Sequence, residues 1–490
     1  MVHARTPVLV GVGQLLNRVE SLDQAIEPIE MMLEACARAE RDTGVGGLLS
    51  QVRSVRVIKG VWNYENPAAF IAERIGAVGA HTVGTLFGGN QNQAIVNMTA
   101  GEILRGEFDL VLITGAENGY STNKARKAGV TLPQTEAPGT YDVLVGKQKP
   151  EHHEYEVAKG IRRAIQVYPM YDNAIRHQRG ESIPEHLERV SGLWSRFNDV
   201  AQNNPNAWVQ YNMTPEEIRT PSPRNRAISF PYTKFMNANM MVDMGAALIL
   251  CSAGKARQLG IDDSRWVYPV SGAQGYDHFS ASVRDNFYTS PGVRITGGRA
   301  LEMAGIEASD LEFVDLYSCF PSAVQVAADE LGLSQERPLT VTGGLTFGGG
   351  PLNNYVMHSI ARTAELLRET PDAYGLVTGN GGNLYKHVHG VYSSAPPERD
   401  FRFANVQAEI DALPSRECLP EYRGDTEIES YTVMYAGEEP AIAHLALRTP
   451  AGQRVWANSE DTALMQSMVR EEFCGRPARI DGDGQVAVTG

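Results

Sequence analysis

Three glycine-rich turns carry much of the chemistry this chain can offer: Gly88-Gly89, Gly349-Gly350 before Pro351, and Gly379-Asn380-Gly381-Gly382. Each follows an apolar run or leads into a helical one. A tight turn at a helix start leaves backbone N–H groups and the positive helix end facing one point. Negative charge developing on an oxygen is stabilised there. A fourth segment, LEFVDLYSCFPSAVQVAADELGL (Leu311–Leu333), ends an apolar strand in Tyr317-Ser318-Cys319. Tyr317 could deliver a proton, and Cys319 could serve as acid, base or nucleophile. Plainer roles stand beside these: glycines for close approach, a small buried thiol, a packed phenol with its hydroxyl satisfied. His387 and His389 alternate on a strand and so share a face. With no third ligand in sight, a hydrogen-bonding role is the default over a metal pair. Asp315, inside the strand, could support either the site or the core.

The elements that must position these groups follow from periodicity. His81 to Glu117 reads as strand, turn, buried helix, strand. Leu311–Leu333 repeats the pattern, with Pro321 at a favoured first helical position. Two pseudo-equivalent halves are therefore expected, with the helix after Gly89 and the helix after Phe320 in matching central places. Pro7–Gln14 and Val52–Ile58 read as strands and Ala25–Arg38 as a helix. Asn118 to about Asn225 is richer in charge, Asn, Pro and Tyr, and reads as an insertion with helices at Glu154–Val167 and Pro184–Phe197. Leu352–Thr370 is helical and Tyr374–Thr378 a strand. Beyond a linker at Ala395–Arg402, Ile428–Tyr435, Ala441–Thr449 and Arg454–Ser459 alternate as strands, and Asp461–Glu472 looks helical. The boundaries expected are 1–119 (completed by about 226–253), 120–225 for the insertion, 254–395 for the second half, and 400–490 for a small β-domain.

Composition bounds the function classes. With 490 residues, 42% hydrophobic and 21% charged, there is ample material for a core and about three domains. A formal charge of −14 argues against nucleic acid or an anionic membrane as the main partner. Five scattered cysteines without metal-ligand spacing fit a reduced, cytoplasmic setting. Pro7 enters a strand at once, leaving no room for a signal peptide, and no apolar run approaches a membrane span.

From about residue 6 to 395, the order and spacing of these segments resemble the thiolase superfamily, especially the branch related to sterol-carrier-protein thiolases. The match rests on Asn90–Glu117, Pro231–Leu250, Leu311–Leu333 and the GGLTFGGGP loop. The resemblance implies an α/β thiolase fold of two α-β-α-β-α halves around a buried helix, an inserted loop domain covering acyl-CoA, and an OB-like C-terminal domain. It implies a coenzyme A thioester as substrate or ligand, no metal and no other cofactor.

The departures matter more. The nucleophilic cysteine that a thiolase carries at its buried helix falls at Gly89. The family's Asn-Glu-Ala-Phe or His-Asp-Cys-Phe motif aligns with Tyr317-Ser318-Cys319-Phe320. Its Gly-His-Pro aligns with Gly349-Gly350-Pro351, and its Cys-x-Gly with Gly379-Asn380-Gly381. Of the usual set only Cys319 survives, which in the His-Asp-Cys-Phe branch serves as acid/base. Losing a nucleophile costs on the order of 10⁴ to 10⁶ in rate, so turnover through an acyl-enzyme is not expected. Three readings follow: an acyltransferase homologue kept as an acyl-CoA-binding module, a carbon–carbon lyase or retro-aldolase acting on a β-hydroxyacyl-CoA, or an assembly protein with a vestigial site. The candidate catalytic residues are Tyr317 and Cys319. The candidate substrate-binding residues are Gly88, Gly89, Gly349, Gly350, Gly381 and Gly382. Loss of the side chains at Gly89 and Gly350 should leave a polar cavity lined by Gly88–Gly89, Gly349–Gly350, Gly381–Gly382, Tyr317 and Cys319.

Overall fold

The computed structural model describes residues 2–147, 150–481 and 485–488. A six-stranded sheet runs in the order Pro7–Leu16, Asp243–Ser252, Leu110–Asn118, Ser54–Val57, His81–Thr85 and Val143–Val145. A five-stranded sheet follows the order Leu311–Asp315, Tyr374–Gly381, Lys386–Ser393, Tyr268–Tyr276 and Arg402–Asn405. Strands such as Leu110–Asn118 and Asp243–Ser252 are buried along nearly their whole length, as strands covered on both faces must be.

Two helices fill the layer between the sheets. Gln91–Arg105 touches Pro7–Leu16 and Asp243–Ser252 on one side, and Tyr268–Tyr276, Tyr374–Gly381 and Lys386–Ser393 on the other. Tyr355–Glu369 likewise touches strands of both sheets. The central helix pairs with polar groups it would otherwise strand in the core. Asn97 Nδ2 donates to the His389 carbonyl at 3.1 Å, and the Tyr392 hydroxyl donates to Gln93 Oε1 at 2.9 Å.

This corrects the expected repeat. The counterpart of Gln91–Arg105 is Tyr355–Glu369, since each precedes a central strand of its own sheet. Pro321–Glu330 lies outside the central layer, against Ala164–Arg179 and Pro291–Ala304. The repeat is real, but the sequence comparison was out of register by one strand–helix unit. Both strands end in polar turns before a helix, and composition cannot distinguish the two.

The insertion also departs from expectation. In place of one helix over Glu154–Val167 there are two, Glu154–Ala158 and Ala164–Arg179, parted by Gly160 at φ +76°. The second runs through Pro169, so the proline does not end it. Val143–Val145, within the insertion by sequence, pairs parallel with Val83–Thr85 at the sheet edge. Arg402–Asn405 likewise joins the second sheet beside Tyr268–Tyr276.

The C-terminal sheet runs Cys418–Leu419, Arg454–Ser459, Glu439–Arg448, Gly424–Ala436, Pro477–Ile480 and Val486–Val488. Ala227–Ser229, just past the insertion, pairs onto Gly424–Ala436 through Ser229 and Met434, and carries Tyr232–Thr233 with it. Arg454, fully buried, locks this sheet to the second half. Its guanidinium donates to the carbonyls of Ala281 (2.9 Å), Ser282 (3.0 Å) and Arg284 (2.6 Å), and pairs with Glu429. No helix among the described residues is long and apolar enough to cross a membrane.

Candidate functional site

Gly89 lies at the start of the central helix, facing the end of strand Leu311–Asp315. A Cβ built on Gly89 would collide with the Tyr317 hydroxyl and lie 2.5 Å from the Asn380 carbonyl oxygen. The aromatic ring therefore takes the place a side chain would need. Asn90 beside it is wholly buried, and both of its amide atoms lack a hydrogen-bond partner among the described residues.

Two of the glycine segments meet here, the second as the end of strand Tyr374–Gly381 where a turn was expected from Gly379 onward. A Cβ on Gly379 would lie 3.1 Å from Asn90 Cα, and one on Gly381 2.6 Å from Asn90 Oδ1. The Gly88 N–H donates to Asn353 Oδ1 at 3.1 Å, joining the first turn to the residues after Pro351. Gly350 itself faces the carbonyl oxygens of Leu345 (3.2 Å) and Asn239 (3.3 Å), while Gly349 faces Met244 and Trp208.

At the Cβ positions of Gly89 and Gly350, then, neighbouring atoms stand close: the Tyr317 hydroxyl and the Asn380 carbonyl at one, the Leu345 and Asn239 carbonyls at the other. Gly88, Gly89, Gly349, Gly350 and Gly381 are all buried. The surface that remains accessible belongs to Tyr317, Cys319 and Gly382, each partly exposed.

Tyr317 and Cys319 stand beside Tyr168 and Asn380. The Tyr168 hydroxyl donates to the Gly382 carbonyl at 3.1 Å and accepts from Asn380 Nδ2 at 3.0 Å. The same Asn380 amide points at Cys319 Sγ from 4.0 Å. Tyr168 stacks on Phe320, ring centroids 4.4 Å apart. Burial pushes the Cys319 thiol up to about 12, against weaker lowering by Tyr168. Burial, reinforced by Cys319, holds the Tyr317 hydroxyl well above the usual phenol range. Near neutral pH both are protonated. They can donate hydrogen bonds; neither is primed as a nucleophile or base.

Asp315 is a core hub. Its carboxylate accepts from the Thr340 hydroxyl (2.9 Å), the Val341 N–H (2.9 Å), the Tyr355 hydroxyl (2.8 Å) and the Ser359 hydroxyl (2.7 Å). It ties the strand end to the Thr340–Gly344 turn and to the second central helix. The Tyr355 ring meets Tyr317 edge to face at 5.6 Å, so the hub reaches the site through one aromatic contact. His387 bonds Asp277 (3.1 Å) and Ser290 (3.2 Å) in a separate buried cluster. His389 is buried, and burial lowers it to about 3. Among the described residues no His, Cys, Asp and Glu group is arranged to hold a metal ion.

Sequence reading missed Tyr168, Tyr171 and Asn90. Tyr168 and Tyr171 sit at helical spacing astride Pro169. That spacing was the available signal, but the helix expected there ended at Val167, one residue short of Tyr168. Asn90 carries no sequence signal beyond its place after two glycines.

The layered halves, the inserted segment and the glycine turns around a central helix N-terminus define a thiolase-fold protein. Residues 405–485 match the family described as the thiolase-like protein type 1 additional C-terminal domain. The crystal structure of a monomeric SCP2-thiolase-like protein type 1 from Mycobacterium smegmatis aligns over 100% of both chains, at TM-score 0.85 and 30% identity. The chain belongs to the type 1 thiolase-like proteins of the thiolase superfamily. A solved Ltp2-ChsH2(DUF35) aldolase shares the fold over 80% of this chain and 98% of its own, at TM-score 0.61 and 20% identity. An acetyl-CoA acetyltransferase from Schizosaccharomyces pombe is 30% identical over 190 residues, 37% of this chain and 45% of that protein. The chain spans about half the length of the curated relatives it matches.

Proposed function

We propose that this protein binds acyl-CoA or CoA without ever carrying the acyl group on a nucleophile. The observation behind this is the Tyr317 hydroxyl occupying the place of a side chain at Gly89. Cys319, the surviving thiol, supports the same reading: with its thiol near 12, only a minute fraction is thiolate at neutral pH. The Tyr317 hydroxyl and the Gly382 region would face the thioester, the hydroxyl donating to its oxygen. The C-terminal sheet is read as an OB-type docking domain, the protein as monomeric like its M. smegmatis relative, and its setting as cytoplasmic.

The test is calorimetric titration with CoA and acetyl-CoA, paired with incubation in radiolabelled acetyl-CoA, denaturation and counting. Saturable binding with no protein-bound label is expected. Stoichiometric label near Gly89 would sink the reading; label on Cys319 would show a displaced nucleophile.

Carbon–carbon cleavage of a β-hydroxyacyl-CoA is the second reading. It needs a group that removes the hydroxyl proton, and the two nearby candidates are held protonated. A donor such as Tyr317 could still stabilise an enolate oxygen. Turnover lost in both Tyr317→Phe and Cys319→Ala, with CoA affinity kept, would select this reading over plain binding. A role in assembly is left only if no CoA ester binds.

A further inference from the structure

The helix Ala164–Arg179 is hydrogen-bonded on two sides. Toward the site, Tyr168 and Tyr171, about one turn apart, reach the last glycine turn. Tyr168 donates to the Gly382 carbonyl and Tyr171 to the Asn383 carbonyl at 2.9 Å. Toward the C-terminal domain, the Ser430 hydroxyl donates to the Met170 carbonyl at 2.6 Å. Asn173 Nδ2 donates to the Tyr431 carbonyl at 2.7 Å, and Arg176 holds the Glu472 carboxylate with two bonds of 2.9 Å. Ser430, Asn173 and Arg176 are fully buried.

Covering this helix would need only apolar contact. Buried directional bonds do something else: they fix how far the helix sits along its axis and how it is rotated, because a shift leaves each group unpaired in a dry interior. Met170, Asn173 and Arg176 recur at the three-residue spacing that keeps groups on one helix side. The two tyrosines, at the same spacing, point to the other.

We infer that the C-terminal β-domain is a working part of the site, acting through this helix. Ser430, Tyr431 and Glu472 set the register of Ala164–Arg179, and that register sets the height of Tyr168 and Tyr171 over the Gly382-Asn383 turn that follows strand Tyr374–Gly381, beside Cys319. Ser430, Asn173, Arg176 and Glu472 are positioning residues; none touches a ligand. Only the affinity readout below rests on the acyl-CoA reading.

The experiment uses the full chain with Ser430→Ala and, separately, Glu472→Gln. Hydrogen exchange by mass spectrometry follows the peptide over 379–385, and calorimetry follows acetyl-CoA affinity. Loss of one buried bond corresponds to about tenfold faster exchange at that turn, with affinity falling roughly three- to tenfold. Tyr168→Phe should produce the same change, and combining it with Ser430→Ala should add little, since both act along one path. Arg448→Ala, which breaks an exposed pair with Glu427 in the same domain, should move neither readout. Variants that melt earlier but leave the turn's exchange unchanged would overturn the inference, as would fully additive effects. If wild-type protein binds no acetyl-CoA, the acyl-CoA reading falls and the exchange measurement still decides this inference.

Discussion

The hydroxyl of Tyr317 stands where the first side-chain atom of residue 89 would be in a chain that carried one there. The two positions are coupled: a side chain at 89 and a tyrosine at 317 exclude each other. Gly89→Cys alone should therefore overpack the site and lower stability by roughly 1–3 kcal/mol. Adding Tyr317→Ala should recover the share of that loss due to the ring, while the Asn380 carbonyl oxygen, 2.5 Å from the same point, keeps the rest, so the double variant is more stable than the sum of the singles predicts. Denaturant midpoints of the four proteins check this. Strict additivity would mean that the ring moves aside freely.

Cys319 should be unreactive. A thiol near 12 holds on the order of 10³ times less thiolate at pH 7.5 than a free cysteine. Alkylation by iodoacetamide, followed by peptide mapping, should find Cys319 slower than a model thiol by a comparable factor. Its rate should still be climbing at pH 10. A plateau near pH 8 would contradict the protonated site.

Glu117 makes stability fall with rising pH. Burial raises its carboxyl from 4.5 to about 7, outweighing the Val61 N–H, which donates from 2.9 Å, and the charge of Lys59. The folded state thus holds a proton that the unfolded chain has already lost. This contribution is complete below pH 4.5 and disappears as pH climbs through 7. It amounts to on the order of 3 kcal/mol. Glu117→Gln should flatten the stability profile between pH 5 and 8, as read from urea unfolding. An unchanged slope would place the ionisation elsewhere.

His186 gives a second, separable dependence of the same sign. Burial disfavours the imidazolium, but Asp172 at 2.9 Å and Glu181 at 3.0 Å outweigh it and hold the ring above its usual value, against some repulsion from Arg189. Stability from this cluster is full below about pH 6.5 and is lost as pH rises through the raised value. In His186→Gln that loss should vanish while the Glu117 component remains. Nuclear magnetic resonance of the ring protons would read the titration directly.

The fold was legible because its signals are local and repeated. Apolar runs such as Leu110–Ile113 and glycine turns such as Gly88-Gly89 announce strands and crossovers without tertiary context. The register between the halves was not legible. The helices after Gly89 and after Phe320 look alike in composition, and only strand order shows that Tyr355–Glu369 is the true counterpart. Tyr317 and Cys319 were found from type and place, and they do stand together. That the Tyr317 hydroxyl and the Asn380 carbonyl stand against Gly89 could not be read, because a glycine in sequence says nothing about which neighbours approach it. Tyr168 lay one residue past the expected end of its helix, which in fact runs on to Arg179.

The pairing of Ser229 with Met434 has a consequence for how the chain is made. The partner of Ala227–Ser229 emerges roughly two hundred residues later, on the order of tens of seconds at ordinary synthesis speeds. Through that interval the finished first half would present a short strand, Ala227–Ser229, open on the edge that later meets Met434, and a helix, Ala164–Arg179, whose Asn173 and Arg176 still lack Tyr431 and Glu472. Once residues up to Asn405 have left the exit tunnel and Gly424–Ala436 has not, the chain holds two complete α/β sheets and an unsealed flank. Holding chaperones and proteases should engage the nascent chain at that flank and at that stage.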